Sequence, residues 1–138
     1  MLFILNMTEK IKKSEEEWKQ ILSPEQYYVL RKKGTERPFS GRLLHNNKNG
    51  TYVCGACGNP LFSYDTKFDS SSGWPSFYDV ISKAAVKLKP DDSLDMKRIE
   101  AVCKRCGGHL GHIFDDGPQP TGKRYCINSL SLDFKEDS

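Results

Sequence analysis

Long hydrophobic runs are missing from this 138-residue chain. Its most apolar opening, Met1 to Leu5, is five residues, far short of the roughly 20 that a membrane-spanning helix needs and of a secretory signal core. A dominant charge is missing too: 21 Lys and Arg stand against 18 Asp and Glu. A net of +3 without a long basic run gives no footprint for nucleic acid. Lys10-Ile11-Lys12-Lys13 and Arg31-Lys32-Lys33 read as helix flanks and solvated faces. Glu9 and Glu15-Glu16-Glu17 arrive too early for an acid-poor targeting presequence. The expected location is the cytoplasm, with neither membrane nor nucleic acid as partner. Cysteine is scarce: five residues, an odd number, well below the density of a disulfide scaffold. In a reducing compartment such cysteines serve as metal ligands or reactive thiols.

The remaining composition is that of one ordinary globular domain, expected over residues 14–138 behind a tail of residues 1–13. Ser14 precedes Glu17 by three residues, a capping-box spacing, and Trp18, Ile21 and Leu22 follow at helical intervals. Ser23-Pro24-Glu25-Gln26 repeats the signal, with proline at the first helical position. Arg31-Lys32-Lys33 then falls in a last turn that Gly34 closes. From Gly41 the texture changes to short runs between Gly, Pro, Asn and Asp clusters: Thr51 to Val53, Ser76 to Ile81, Ala85 to Leu88, Lys97 to Val102 and Tyr125 to Phe134. In the last run, Arg124, Cys126 and Asn128 share one strand face, and Tyr125 and Ile127 the other. The expected fold is mainly β, an antiparallel core with two short N-terminal helices.

Four of the cysteines form two near copies, Cys54-Gly-Ala-Cys57-Gly58 and Cys103-Lys-Arg-Cys106-Gly107. A Cys-x-x-Cys turn aims two thiolates at one point, and the glycine after it accepts the left-handed backbone that closes the turn. Two such knuckles supply the four sulfurs of a closed structural zinc site. Other readings are two unrelated buried pairs or a redox dithiol, but a thioredoxin-like dithiol needs a following helix that neither pair has. The stretch between Cys57 and Cys103 exceeds the roughly 15–20 residues of common zinc ribbons, so the ion would pin distant strands together.

Cys126 stands apart. A solitary strand cysteine is commonly an inert small hydrophobe. Its company argues otherwise: Arg124 beside it favours a thiolate, and Asn128 offers an amide donor. Gly107-Gly108-His109-Leu110-Gly111-His112-Ile113-Phe114 carries two of the three histidines, and a histidine in reach supplies protons near neutral pH. His109 and His112 can also be read as extra metal ligands or as ordinary loop residues; His45, in an Asn/Lys-rich turn, reads as solvated. Gly73-Trp74-Pro75-Ser76-Phe77, behind Ser70-Ser71-Ser72, is either core or a loop that offers Trp74 as an apolar pocket wall.

In combination, Thr35 to Gly41, Cys54 to Gly58, Ser72 to Phe77, Cys103 to Asp116 and Arg124 to Ser129 resemble, in order, the methionine-R-sulfoxide reductases of the B type. The resemblance covers Trp18 to Phe134. It implies a mainly β domain of two antiparallel sheets, with Cys54, Cys57, Cys103 and Cys106 holding one structural zinc away from the active site. It implies Cys126 as nucleophile, Trp74 against the substrate's S-methyl group with Phe114 nearby, His109, His112 and Asn128 around the sulfoxide oxygen, and Arg124 beside the thiolate. The implied substrate is the R-epimer of methionine sulfoxide in oxidised proteins or peptides. Many members carry a recycling cysteine where this chain has Ser72, so a sulfenic acid on Cys126 would be reduced by an outside thiol, thioredoxin or a small molecule. Two rival readings are a zinc-stabilised binding module without catalysis and a zinc hydrolase using His109 and His112.

Overall fold

Two capping boxes start the helices where the sequence places them. In the computed structural model, which describes residues 10–137, Ser14 caps α1 (Glu15–Ile21) and Ser23 caps α2 (Pro24–Leu30). Each serine hydroxyl accepts the amide three residues on, and that residue's side chain accepts the serine amide. Two otherwise orphaned donors are satisfied reciprocally. The apolar opening at Met1 to Leu5 lies outside the described residues. Core contacts begin ahead of Ser14, because the Ile11 amide donates to the Arg105 carbonyl at 2.6 Å and its side chain packs against the core.

Not every helical detail follows the spacing. Trp18 and Leu22 are buried, but Ile21 is 57% exposed, because α1 ends there and the extended backbone of Leu22 swings the next side chain inward. After α2, the positive φ of 61° falls on Lys33 rather than Gly34, and the three cations lie past the last turn. Tertiary partners explain the difference. The Arg31 guanidinium lies 4.7 Å over Trp18 and donates to the Cys106 carbonyl at 2.9 Å; Lys33 reaches two buried carboxylates.

The strands are β1 (Gly50–Cys54), β2 (Pro60–Ser63), β3 (Lys67–Phe68), β4 (Ser76–Phe77), β5 (Val86–Asp91), β6 (Arg98–Cys103), β7 (His109–Phe114), β8 (Arg124–Ile127) and β9 (Leu132–Glu136). They make two antiparallel sheets, a small one in the order β2-β1-β9 and a large one in the order β3-β4-β8-β7-β6-β5. The mainly β class with short N-terminal helices is therefore the observed one. The run from Tyr125 to Phe134 is two strands, not one: a 3-10 turn at Ser129–Ser131 carries the chain from the large sheet to the small. The strand expected from Ser76 to Ile81 is only Ser76–Phe77, and the histidine-bearing segment is the full strand β7 rather than a loop.

Period-two alternation then sorts the side chains. Phe77, Tyr125 and Ile127 face the small sheet, where Phe62 stacks on Phe77 at 4.3 Å and meets Tyr125 edge-on at 5.6 Å. Tyr52, Leu61, Phe62, Phe77 and Ile127 have no measurable exposure, each burial stabilising by about 1.5–3 kcal/mol. Their sequence neighbours Ser76, Arg124 and Cys126 are left on the opposite face. The pairing of β7 with β8 is unusually close at Gly111: a Cβ there would sit inside van der Waals contact of the Cys126 carbonyl oxygen. Gly111→Ala should therefore push the Cys126 strand away, costing about 1–3 kcal/mol; a fall of several degrees in thermal melting followed by circular dichroism is the expected result.

Candidate active site and cysteine cluster

Across the large sheet, Ser76 pairs with Cys126, Cys126 with His112, and His112 with Glu100. Directly opposed residues of antiparallel strands share a face, so these side chains form one row. Phe114 opposite Arg124, and Asp91 opposite Arg98, extend it. His109 joins the same face through a bulge. Ala101 pairs with Gly111 but Val102 pairs with His109, leaving Leu110 as the extra residue. In a regular strand, two histidines three apart would point opposite ways; here their rings are 5.5 Å apart. The carbonyl of Leu110 accepts both the backbone amide of Asn128 and its side-chain amide, at 2.9 and 3.0 Å.

A cavity of about 110 Å³ opens on this face, lined by Thr35, Trp74, Arg98, Gly111, His112, Phe114, Cys126 and Asn128. It suits a small head group rather than a drug-sized ligand, for which about 300 Å³ is a lower bound. Trp74 is in the loop before β4, as one reading of the sequence required. Gly73, at φ 96°, makes the turn, and the indole N–H donates to the Glu36 carbonyl at 3.0 Å. A larger cavity of about 410 Å³ shares Trp74 but lacks Cys126 and both paired histidines.

The two histidines have different stations. His112 lines the cavity, and its Nε2 is 2.7 Å from Asp91 Oδ2. His109 is 3% exposed, lies behind it, and holds Glu100 Oε2 through Nδ1 at 2.6 Å. Burial pulls the His109 imidazole below its ordinary value, only partly opposed by Glu100. The hydrogen bond from His112, then those from Ser93, hold the Asp91 carboxyl well below the usual range. An ionised carboxylate only accepts, so His112 carries its hydrogen on Nε2 and Nδ1 is the nitrogen left for the cavity. Asp91, Glu100 and Lys33 went unnoticed in the sequence, since only the strand register brings them to the histidines.

Around Cys126 the electrostatics differ from the simple expectation. Burial pushes its thiol up, and the Ser72 hydroxyl and the Arg124 guanidinium pull the other way without cancelling it. Arg124 is largely committed elsewhere, donating to both carboxylate oxygens of Asp116 at 2.8 and 3.1 Å while lying 4.4 Å over Phe114. Asn128 also has a second duty: its side-chain oxygen accepts the Glu36 amide at 3.0 Å, leaving one amide N–H without a partner among the described residues. The Ser72 hydroxyl is 4.0 Å from Cys126 Sγ and is held by Ser70 at 2.8 Å. His45 is exposed, as read.

The other four cysteines converge. Their sulfurs all lie within 4.8 Å of one another, and among the described residues this group includes neither histidine. Gly58 and Gly107 adopt φ of 81° and 75° and donate back to the Cys54 and Cys103 carbonyls at 2.8 Å each. The Ala56 and Gly108 amides point at Cys54 and Cys106 sulfurs at 3.4 Å each. The cluster could hold a metal ion.

The model of the SelR domain family matches residues 22–136. The chain belongs to the SelR family. A peptide methionine sulfoxide reductase MsrB of Methanosarcina barkeri is 68% identical over 127 residues, 92% of this chain and 89% of that protein. A protein of the same name from Leptospira interrogans is 56% identical over 95% of this chain and 100% of its own length. The mitochondrial methionine-R-sulfoxide reductase B3 of Mus musculus is 55% identical over 91% of this chain, which spans 49% of the mouse protein. SelR membership fits the reductase reading and not the non-catalytic binding module. In this SelR chain no group of described residues that could hold a metal ion includes His109 or His112, which leaves the hydrolase reading without its ligand set. A metal ion held by the four cysteines would couple its binding to folding, so a strong chelator, or Cys54→Ser, should lower the melting temperature by more than about 10 °C. Thermal unfolding with and without chelator measures it.

Proposed function

We propose that this chain reduces the R-epimer of methionine sulfoxide, in oxidised peptides and proteins, to methionine. The observation that carries the reading is the placement of Cys126 beside His112, between the apolar walls of Trp74 and Phe114, in one small cavity. A sulfoxide head has a methyl group for the aromatic walls and an oxygen that needs a proton as it leaves sulfur. In the reaction, Cys126 Sγ attacks the sulfoxide sulfur and the oxygen passes to it. The substrate sulfur gains two electrons, Cys126 becomes a sulfenic acid, and methionine departs. No net proton is consumed: the proton that the thiol loses is the one the oxygen requires, and His112 Nδ1 is the group to carry it. A thiol held up by burial thus keeps its proton until substrate arrives.

The sulfenic acid is then reduced by an external thiol, thioredoxin or a small molecule. Water leaves as the mixed disulfide forms, and a second thiol releases Cys126. Support comes from Ser72, whose hydroxyl occupies the nearest side-chain position on the adjoining loop, and from the engagement of the other four cysteines with one another. We read the cluster as a zinc site, a reading supported by two Sγ···Sγ separations of 3.6 Å, near the about 3.8 Å edge of a tetrahedron with sulfurs about 2.3 Å from the ion. With four thiolates it is structural. Thiolate ligands and an externally recycled thiol suit a reducing compartment, so we place the protein in the cytoplasm, in the repair of oxidised proteins.

Wild type and Cys126→Ser, each given dithiothreitol and the separate epimers of a methionine sulfoxide peptide, test the reading. Methionine should form only with wild type and only from the R-epimer; turnover by Cys126→Ser would overturn it. After one turnover without reductant, mass spectrometry should find Cys126 heavier by one oxygen and no disulfide. Ser72→Cys should instead yield a disulfide between the introduced thiol and Cys126 under the same conditions, given the 4.0 Å separation of the present side-chain atoms.

A further inference from the structure

Lys33 sits outside the cavity, yet both acid–histidine pairs run through it. Its ammonium is 3.4 Å from Asp91 Oδ1 and 3.3 Å from Glu100 Oε1. Those carboxylates hold His112 and His109 by their other oxygens. Its backbone is in the left-handed region at φ 61°, a conformation that strains a non-glycine residue. That geometry turns the chain from α2 into Thr35, which lines the cavity, and Glu36, which holds Trp74 and Asn128. Burial lowers the Lys33 ammonium's proton affinity, but the hydrogen bond and charge of Glu100, then the charge of Asp91, more than offset it.

We propose that Lys33 is a positioning residue for the reaction: by bridging Asp91 and Glu100 it fixes the orientation of His112 and sets the charge around that imidazole. The groups facing His112 are Asp91 from β5, Arg98 and Glu100 from β6, His109 from β7, and Arg124 and Cys126 from β8, with Lys33 closing the ring from behind α2. Asp91 holds His112 by one carboxylate oxygen and Lys33 by the other, so the cation and the imidazole share one anion. The consequence for turnover rests on the reductase reading; the clamp itself does not.

The test follows the His112 imidazole by NMR titration of the full, metal-loaded chain. The variants are Lys33→Asn, since asparagine tolerates positive φ, Lys33→Met, Lys33→Arg and Asp91→Asn, each checked for folding by thermal melting. Removing the cation leaves Asp91 with Arg98 alone and takes the Lys33 charge from Glu100, so the His112 midpoint should rise by about half a pH unit or more in Lys33→Asn and Lys33→Met. Removing the anion should lower it in Asp91→Asn, and Lys33→Arg should restore the wild-type midpoint. Loosening alone would draw every neutral variant toward the ordinary imidazole value of about 6.5, so shifts of opposite sign are the signature. A midpoint unmoved or lowered in both neutral Lys33 variants would overturn the proposal. In steady-state assays on a methionine-R-sulfoxide peptide, kcat should fall in Lys33→Asn with KM within about twofold, as for a defect in the chemical step; a change confined to KM would also overturn it. Should wild type reduce neither epimer, the reductase reading fails while the titration still decides the clamp.

Discussion

The pairing of Cys126 with His112 across β8 and β7 is the constraint on which the site depends. Side chains alternate along a strand, so a slip of one residue would exchange Cys126 for Tyr125 or Ile127 and put a thiol into the aromatic core. The same register that packs Tyr125 and Ile127 against Phe62 and the small sheet therefore also exposes the sulfur. Burial on one face and chemistry on the other are a single commitment. Gly111 fixes its distance: with no side chain, it lets the two backbones approach until a methyl group would not fit.

What holds that register lies at both ends of the strands. At one end the cysteine cluster joins the sheets, since Cys54 ends β1 and Cys57 sits in the turn to β2 of the small sheet, while Cys103 ends β6 and Cys106 sits in the turn to β7 of the large one. β7 starts three residues beyond Cys106, so the knuckle determines where that strand begins. The bulge at Leu110 then brings His109 round to the face of His112. On the site face, the segment from Lys33 to Glu36 does the rest. Glu36 alone holds three elements: its amide the Asn128 side chain, its carbonyl the Trp74 indole, and Oε1 the Leu130 amide at 2.9 Å. Burial pushes its carboxyl up, against the Leu130 and Ser129 amides. The cysteine cluster is thus remote from Cys126 yet connected to it by strand register.

Much of this was legible in the residues themselves. The capping boxes named both helix starts to the residue, because caps are local hydrogen-bond chemistry. The knuckles named the four cysteines that converge, because spacing and a following glycine are local too. The faces of β8 followed from alternation, which needs only the strand. Partners across strands were not legible. Nothing in the neighbourhood of Asp91 or Glu100 announces a histidine, and Lys33 looks like any cation flanking a helix until β5 and β6 are laid beside β7. Asn128 and Arg124 were identified by position but not by load: much of the amide of one secures backbone, and the guanidinium of the other is taken up by Asp116. Nor could sequence separate His109 from His112, since depth behind a sheet face depends on packing.

The balance of charge around Cys126 bears on how such a thiol works at all. A strongly depressed thiol would be ionised at rest and open to adventitious oxidation. Here desolvation outweighs Arg124, whose guanidinium is shared with Asp116, so the resting sulfur keeps its proton. Reactivity is then conditional on a partner that can take that proton and deliver it to an oxygen in the same cavity. His112 has the geometry for this, with one nitrogen tied to a carboxylate and the other left for the cavity. A sulfoxide, whose oxygen is a good acceptor and whose sulfur becomes electrophilic as that oxygen is protonated, completes the circuit; an ordinary thioether, with neither property, does not. In the proposed reaction, selectivity for the oxidised side chain would follow from proton transfer as much as from shape.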